Sequence, residues 1–444
     1  MASSNKLSLT AAILVCVNIM LGAGIFINTV ELARRAGILG FVAYALIGVI
    51  LLPLILSIAH LIELHPSGGF YTFAKQEINP FFGFMSTWSY FTGKLASATL
   101  LIHTSLLLLQ DTIAILRWSN IFFLDGVVLT LFTLLNMLNI RTGRSIQIGI
   151  MTLKLIPVLF VIFVGLFFFN GTTINSSHAL WAGLPSTLPL VLFAVLGFEA
   201  ACSLSDQIED PKRNGPRAIF ISYGIVISLL MLYQFFFYAS IGSALGAQEN
   251  YLASFPSLLA LLFNPSSITS TFLHALLYCT IASSALGGAY GILYSNNWNL
   301  YTLAKNNHTF FPRTLTSLNH NLIPYACVLV EGAICVLYFY VTKAQQIPLQ
   351  QISALACTVA YTLSVLSLYQ AKKRNPHISV HHWVPILGLI NCIILLAACF
   401  KSILCNGTQP LFILGFIWLF GMIMYFTTRF IHNQLIASTK NTPT

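Results

Sequence analysis

Lys94, Lys154 and Glu199 are charged residues that lie within long apolar runs of the sequence. A charged group in a membrane interior is costly, so such residues mark a proton or substrate pathway or form a buried pair. Lys154 is predicted to carry a proton; the alternative is a lysine whose amine extends to the membrane interface. Lys94 is predicted either to lie beside a ligand, favouring an acidic or polar side chain on it, or to pair with Glu199. Glu199 is predicted to be a hydrogen-bonding or pH-responsive group.

Glycines interrupt two of these runs near their middle, at Gly22 and Gly24 and again at Gly197. A broken helix exposes backbone N–H and C=O groups, which are tolerated at membrane depth only where they line a polar cavity. The N-terminus of a half-helix suits a carboxylate, and free carbonyls suit an ammonium group. Two facing breaks therefore predict a site for the zwitterionic end of an amino acid. The alternative for Gly22 and Gly24 is that they only allow close helix packing.

The composition predicts that the apolar runs cross a membrane. Of the 444 residues, 57% are hydrophobic and only 7% are charged, and the mean hydropathy is +0.83. A soluble domain carries about 25% charged residues, so we expect an all-α polytopic membrane protein. The net charge of +10 does not indicate nucleic-acid binding, because the basic residues are spread over short loops.

Apolar runs bounded by charges, Pro or Gly predict about twelve transmembrane helices, numbered here as spans 1 to 12. Their predicted bounds are 9–34, 38–63, 82–111, 121–140, 146–169, 186–208, 217–243, 271–300, 322–342, 350–371, 384–403 and 409–430. If both termini lie in the cytoplasm, most Lys and Arg residues fall in cytoplasmic segments, as the positive-inside rule requires. We therefore expect an integral protein of the plasma (inner) membrane with both ends inside.

The interruptions fall in spans 1 and 6, the first members of two successive groups of five. Paired interruptions in corresponding segments are typical of transporters with inverted repeats and a binding site near the bilayer midplane. Residues 9–169 and 186–371 are accordingly predicted to be two inverted repeats within a single transmembrane domain. Two extra helices at 384–430 and a cytoplasmic tail at 431–444 follow.

Several motifs resemble those of the amino acid-polyamine-organocation (APC) superfamily of transporters, chiefly its bacterial amino-acid permeases and basic amino-acid/polyamine exchangers. They are the span 1 motif Asn18-Ile-Met-Leu-Gly-Ala-Gly-Ile-Phe26, the loop Pro66-Ser-Gly-Gly-Phe-Tyr71, the span 6 motif Leu196-Gly-Phe-Glu199 with the loop Glu209-Asp-Pro-Lys-Arg-Asn-Gly-Pro-Arg-Ala-Ile219, and Ser284-Ala-Leu-Gly-Gly288. The resemblance implies a five-plus-five inverted repeat plus two helices, and transport of amino acids by alternating access.

The resemblance also implies a set of site residues. Backbone N–H groups of Gly22, Ala23 and Gly24 would receive the substrate carboxylate, and carbonyls near Met20, Phe193 and Leu196, beside Gly197, would receive the amine. Phe193 matches a gating aromatic and Tyr90 lies near a second pocket aromatic. Lys154 resembles a lysine that replaces sodium in proton-coupled relatives.

Two residues depart from the family pattern. Ala23 occupies a position that is often Ser, and Ala289 occupies one where some arginine exchangers carry a large aromatic. Both departures argue against a guanidinium substrate.

Other classes of protein find little support in the sequence. It contains no catalytic set such as His-Glu-x-x-His, no filter-like repeat and no ATP-binding motif. His377, His381 and His382 lack a companion Cys or acid at metal-ligand spacing, so neither metal nor cofactor is expected. The expected partners are an amino acid or related amine, protons and lipid, with no nucleic acid. Proton symport and exchange without net proton coupling both remain open, as does the oligomeric state, for which a homodimer is one option.

Overall fold

The computed structural model describes residues 8–66, 69–138, 154–169, 179–199 and 208–440. Within these ranges the backbone forms α-helices joined by turns and short 3-10 helices. Eight of the described helices are long and apolar enough to cross a membrane. These helices confirm the predicted all-α polytopic membrane protein.

The helices are numbered in chain order. They are α1 Leu9–Met20, α2 Gly24–Ile27, α3 Thr29–Ala36, α4 Gly40–Leu64, α5 Phe70–Glu77, α6 Pro80–Thr112, α7 Ile121–Asn136, α8 Leu155–Phe167, α9 Leu184–Val195, α10 Pro211–Ile241, α11 Ser254–Leu259, α12 Ile268–Lys305, α13 Pro312–Leu315, α14 Tyr325–Thr342, α15 Gln346–Arg374, α16 Trp383–Asn406 and α17 Gln409–Lys440.

Each predicted span has a counterpart in this order. Span 1 is divided into α1, α2 and α3; spans 2 to 8 correspond to α4, α6, α7, α8, α9, α10 and α12; spans 9 to 12 correspond to α14 to α17. In span 6, predicted as 186–208 with an interruption at Gly197, α9 ends at Val195 and a turn follows. Residues 139–153, which include the start of span 5, and residues 200–207 lie outside the described part of the chain.

Capping side chains determine where several long helices begin. Ser8, Asn79, Asn120 and Ser267 each accept a hydrogen bond from a backbone N–H in the first turn of α1, α6, α7 and α12. Such caps satisfy one of the N–H groups that a helix leaves unpaired at its start. Pro80 follows Asn79 as the first residue of α6, a position where its missing N–H costs nothing.

The central helix of the bundle is α6, which packs along both α12 and α15. All residues of α6 between Ser86 and Ile102 are buried. A helix that faces protein all round can hold polar side chains away from lipid. Tyr90 and Lys94 lie one turn apart in this buried stretch and therefore face the same side of α6.

Candidate functional site

Span 1 is interrupted between Met20, where α1 ends, and Gly24, where α2 begins. Leu21 has left the helical conformation, with φ −75° and ψ 78°. The first N–H groups of a helix have no partner within it, so those of α2 are available at this break. The break holds Gly22 and Ala23, the residues predicted to receive a carboxylate. The Gly22 N–H, however, already donates to the carbonyl of Met20 at 2.9 Å, a carbonyl predicted to receive the amine.

The two glycines of span 1 have different surroundings. A Cβ on Gly24 would lie 2.7 Å from the Cα of Ala194 in α9, whereas a Cβ on Gly22 would meet no atom within 4 Å. Close helix packing, one of the two predicted explanations, therefore accounts for Gly24. It does not account for Gly22, which faces open space and is only half-buried. The space next to Gly22 in the direction of a Cβ is therefore open.

Span 6 is interrupted directly after α9. Leu196 is extended, with φ −61° and ψ 133°, and Gly197 has φ 126°, a conformation that favours glycine because it has no Cβ. The carboxylate of Glu199 folds back on this turn, and its Oε2 accepts the N–H of Gly197 at 3.0 Å. Phe193, in the last turn of α9, lies beside Gly24, with its Cδ1 3.3 Å from where a Cβ would be.

Glu199 also binds two side chains of α6. Its Oε1 accepts from the Tyr90 hydroxyl at 2.8 Å and from the Lys94 amine at 3.1 Å. Lys94 is 7% exposed and Glu199 is 1% exposed, so the pair is desolvated. Of the two roles predicted for Lys94, the structural pair with Glu199 is the one seen. Together the two charges cancel, and Lys94 does not present a free cation to a ligand.

Aromatic rings enclose this charge pair. The rings of Phe70 and Tyr90 lie 4.5 Å apart between centroids, and those of Phe198 and Tyr361 lie 5.0 Å apart. Phe70 belongs to the predicted Pro66–Tyr71 loop motif, of which Ser67 and Gly68 lie outside the described residues. The low dielectric of such surroundings strengthens the hydrogen bonds that hold Glu199.

Lys154 reaches the break in span 1 from the first turn of α8. Its amine donates to the carbonyl of Leu21 at 2.8 Å, and the residue is 1% exposed. The alternative prediction, an amine extended to the membrane interface, is therefore wrong for this conformation. The contact connects a titratable side chain to the unwound backbone beside Gly22.

Sequence reasoning missed a second set of contacts to span 1. Asn28, between α2 and α3, is fully buried. Its amide donates to the carbonyl of Leu190 in α9 at 2.7 Å and accepts from Gln350 of α15 at 2.8 Å. Gln346 donates to the carbonyl of Ile27 at 3.2 Å. The only signal in the sequence is that these amides interrupt apolar runs.

The loop motif after α4 is joined to the end of α12. The Tyr71 hydroxyl lies 2.8 Å from Nε2 of His308, and the ring of Tyr425 is 4.9 Å from that imidazole. Burial, with smaller effects from the charges of Lys75 and Arg429, lowers the pKa of His308 to about 4. The imidazole is therefore neutral near pH 7.

Comparisons with known proteins cover almost the whole chain. The family model described as amino acid permease matches residues 7–429. An uncharacterized transporter of Mycobacterium tuberculosis is 23% identical over 416 residues, which are 91% of this chain and 89% of that protein. The low-affinity putrescine importer PlaP of Escherichia coli is 21% identical over 391 residues, 85% of this chain and 82% of the importer. The lysine-specific permease LysP of Lactococcus lactis is 22% identical over 457 aligned positions, 91% of this chain and 84% of the permease.

Proposed function

The chain belongs to the amino acid permease family, and from this premise we propose that it is a secondary transporter of an amino acid, driven by protons and independent of sodium. It moves its substrate by alternating access between the two sides of the membrane. Residues 9–169 and 186–371 act as the two inverted repeats, with both termini in the cytoplasm of a cell whose plasma membrane holds the protein.

The observation that carries the proposal is that a charged side chain binds one backbone group at each break, a carbonyl at the first and an N–H at the second. Lys154 takes a carbonyl of the first break, at Leu21, and Glu199 takes an N–H of the second, at Gly197. The N–H groups at the start of α2 remain, as do the carbonyls at the end of α9 other than that of Phe193, which accepts the N–H of Leu196 at 3.4 Å. A carboxylate suits the former, and an ammonium group suits the latter.

Proton coupling is assigned to Lys154. A hydrogen bond from an ammonium group is roughly twice as strong as one from a neutral donor, so protonation of Lys154 strengthens its hold on the Leu21 carbonyl. Loss of the proton weakens that hold and frees the backbone beside Gly22 to move. The protonation state of one side chain is thereby linked to the geometry of the substrate site.

A second candidate is an exchanger or importer of amines. PlaP and LysP are relatives named for putrescine and for lysine, both of which are cationic. The Lys94–Glu199 pair supports keeping this candidate, because it leaves no net positive charge on that face to repel a cationic side chain. Lys94, neutralised by Glu199, therefore does not disfavour a basic substrate.

The proposal is tested with purified protein in liposomes. Labelled neutral amino acids, lysine and putrescine are offered under a proton gradient, under a sodium gradient, and to liposomes preloaded with unlabelled substrate. We expect accumulation of an amino acid that follows the proton gradient and ignores sodium. Uptake of none of these compounds under any condition would refute the proposed function, and uptake only into preloaded liposomes would replace symport by exchange.

The coupling residue is tested by Lys154→Met, with Lys401→Met as the matched control. Lys401 is exposed on α16, so its loss changes the charge by the same amount without touching the break. We expect Lys154→Met to lose proton-driven accumulation while it keeps exchange, and Lys401→Met to keep both. Unchanged accumulation by Lys154→Met would remove the proton role from this residue.

A further inference from the structure

Glu331 is a buried acid that the proposed cycle does not use. It lies on α14, is 1% exposed, and neither of its carboxyl oxygens has a hydrogen-bond partner. Glu199, equally buried, accepts three hydrogen bonds, one of them from a lysine. Glu199 and Glu331 are therefore in opposite surroundings.

Three helices form the walls around Glu331. On α6, the carbonyl of Leu95 lies 3.9 Å from the sulfur of Cys335, one turn along α14 from Glu331. On α7, Oγ1 of Thr133 would lie 3.1 Å from a Cβ on Gly332. On α12, the side chain of Asn296 lies close enough to the carboxyl group to interact with it, but without a hydrogen bond of ordinary length and angle.

Asn296 is held in place by other bonds. Its amide donates to the carbonyl of Phe91 at 3.0 Å, and its oxygen accepts from Asn299 at 2.9 Å. An amide group oriented in this way can support a carboxylic acid but supplies no countercharge. The acid therefore faces a fixed, neutral dipole.

None of the described ionised groups balances a charge at Glu331. Lys94 on α6 is bound to Glu199, Asp125 on α7 is bound to His103, and Arg313 on α13 is exposed. The titratable groups that interact with Glu331 are Cys327 and Cys335 on its own helix, and a thiol supplies no positive charge. An ionised carboxylate without a partner is far more costly to bury than a neutral acid.

Polar groups continue from Glu331 toward the end of the bundle where α14 begins. Glu331 is six residues from Tyr325, a rise of about 9 Å along the helix. Asn136, the last residue of α7, is 1% exposed with both side-chain polar atoms unpartnered, and Oδ1 of buried Asn297 on α12 is unpartnered too. Internal water binds to unpaired buried amides of this kind. A chain of such waters can carry a proton.

We propose that Glu331 is a second proton-binding site, occupied in the conformation described, which exchanges its proton during the transport cycle through the side where α14 begins. The occupied site is a neutral carboxylic acid. Release leaves a carboxylate, which becomes tolerable when α14 moves relative to α6 and α12 and water reaches it. The occupancy of Glu331 by a proton does not depend on the transport function. Exchange of that proton during the cycle rests on the proposed transport function.

Occupancy is tested by infrared difference spectroscopy on the full-length protein at neutral pH. A protonated carboxyl group has a C=O stretching band that a carboxylate lacks. We expect this band in the wild-type protein and its loss in Glu331→Gln. Glu249→Gln, which removes an exposed acid, should retain it. A spectrum of Glu331→Gln that still holds the whole band, or a wild-type spectrum without it, would show that Glu331 is not the occupied site.

Exchange is tested by measuring uptake against pH in liposomes. Glu331→Gln keeps the size and the neutrality of the protonated acid, so we expect it to fold and to lose one titration step from the pH profile. Glu331→Asp keeps the acid and should retain that step, shifted in pH, which guards against a glutamine variant that fails to fold. A profile that is the same for wild type and Glu331→Gln would make Glu331 a permanently protonated packing residue and overturn the exchange half. If the wild-type protein transports nothing, the proposed function fails, while the infrared result still decides the occupancy of Glu331.

Discussion

The buried pair of Lys94 and Glu199 yields a stability prediction whose sign depends on which charge is removed. Removing one partner of a buried ion pair costs about 3–5 kcal/mol, because the other charge stays buried and unpaired, whereas replacing both partners is often nearly neutral. Lys94→Met, Glu199→Gln and the double variant therefore form an informative cycle.

The contacts decide the order of the two single variants. Lys94→Met leaves Glu199 with the hydrogen bonds from Tyr90 at 2.8 Å and from the Gly197 N–H at 3.0 Å. Lys94→Met should therefore lower the stability by about 3 kcal/mol. Glu199→Gln leaves the Lys94 ammonium without an acid, and its remaining contact among the described residues is the face of the Tyr90 ring, 5.5 Å from the ring centroid. Since a cation–π contact contributes only about 1–2 kcal/mol, Glu199→Gln should lower the stability by about 5 kcal/mol.

The assay is thermal unfolding in detergent, followed by tryptophan fluorescence at one fixed scan rate because membrane proteins of this size unfold irreversibly. We expect the melting temperatures to fall in the order wild type, double variant, Lys94→Met, Glu199→Gln. Arg374→Met is the control: Arg374 lies 3.8 Å from Glu77 and is 58% exposed, so its loss should cost less than about 1 kcal/mol. A double variant that melts below Glu199→Gln would refute the reasoning, since the two costs would then add.

Three further changes have distinct expected outcomes. Gly24→Ala should lower the melting temperature, because the new methyl group would overlap α9. Gly22→Ala should keep the melting temperature and lower the substrate affinity. An equal fall in melting temperature for both variants would contradict this difference. Asn28→Leu leaves two buried partners without their bonds, at about 1–3 kcal/mol for each, and an unchanged melting temperature would contradict it. The pKa of His308 is lowered to about 4 in the folded protein, so the unfolded chain binds more protons between that value and the ordinary pKa near 6.5. Stability should therefore fall as the pH falls through this window, less steeply in His308→Gln; equal slopes would exclude His308 as the cause.

Sequence reasoning succeeded where a local rule applies. A glycine in the middle of an apolar run indicates a break in the helix. For this reason the breaks near Gly22 and Gly197 could be predicted. A charge in such a run must be paired or functional, which singled out Lys154 and Glu199. These rules depend on the residue and its neighbours in the chain alone.

Distances between spans could not be obtained in the same way. Lys94 and Glu199 are 105 residues apart, and Asn28 and Gln350 are 322 residues apart. Whether Lys94 faced a ligand or an acid depended on the packing of α6 against the turn after α9, which no local pattern encodes. The exact end of α9, at Val195, could not be predicted, because the apolar run continues through the turn, and hydropathy alone cannot tell a buried turn from a helix.

The contacts of Lys154 and Glu199 with the backbone at the two breaks bear on which of the candidate ligands the site prefers. An amino acid carries one carboxylate and one ammonium group, and so complements both the free N–H groups at the start of α2 and the free carbonyls at the end of α9. A diamine such as putrescine has no carboxylate. It would occupy the carbonyls and leave the N–H groups without an anion, and unsatisfied polar groups in a desolvated site cost about 1–3 kcal/mol each. Each such group therefore lowers the affinity by about 5-fold to 100-fold. Because Lys94 is neutralised by Glu199, a cationic side chain on an amino acid incurs no comparable penalty there. The geometry therefore favours a neutral or basic amino acid over a diamine, and competition between lysine and putrescine in the same liposomes measures that preference directly.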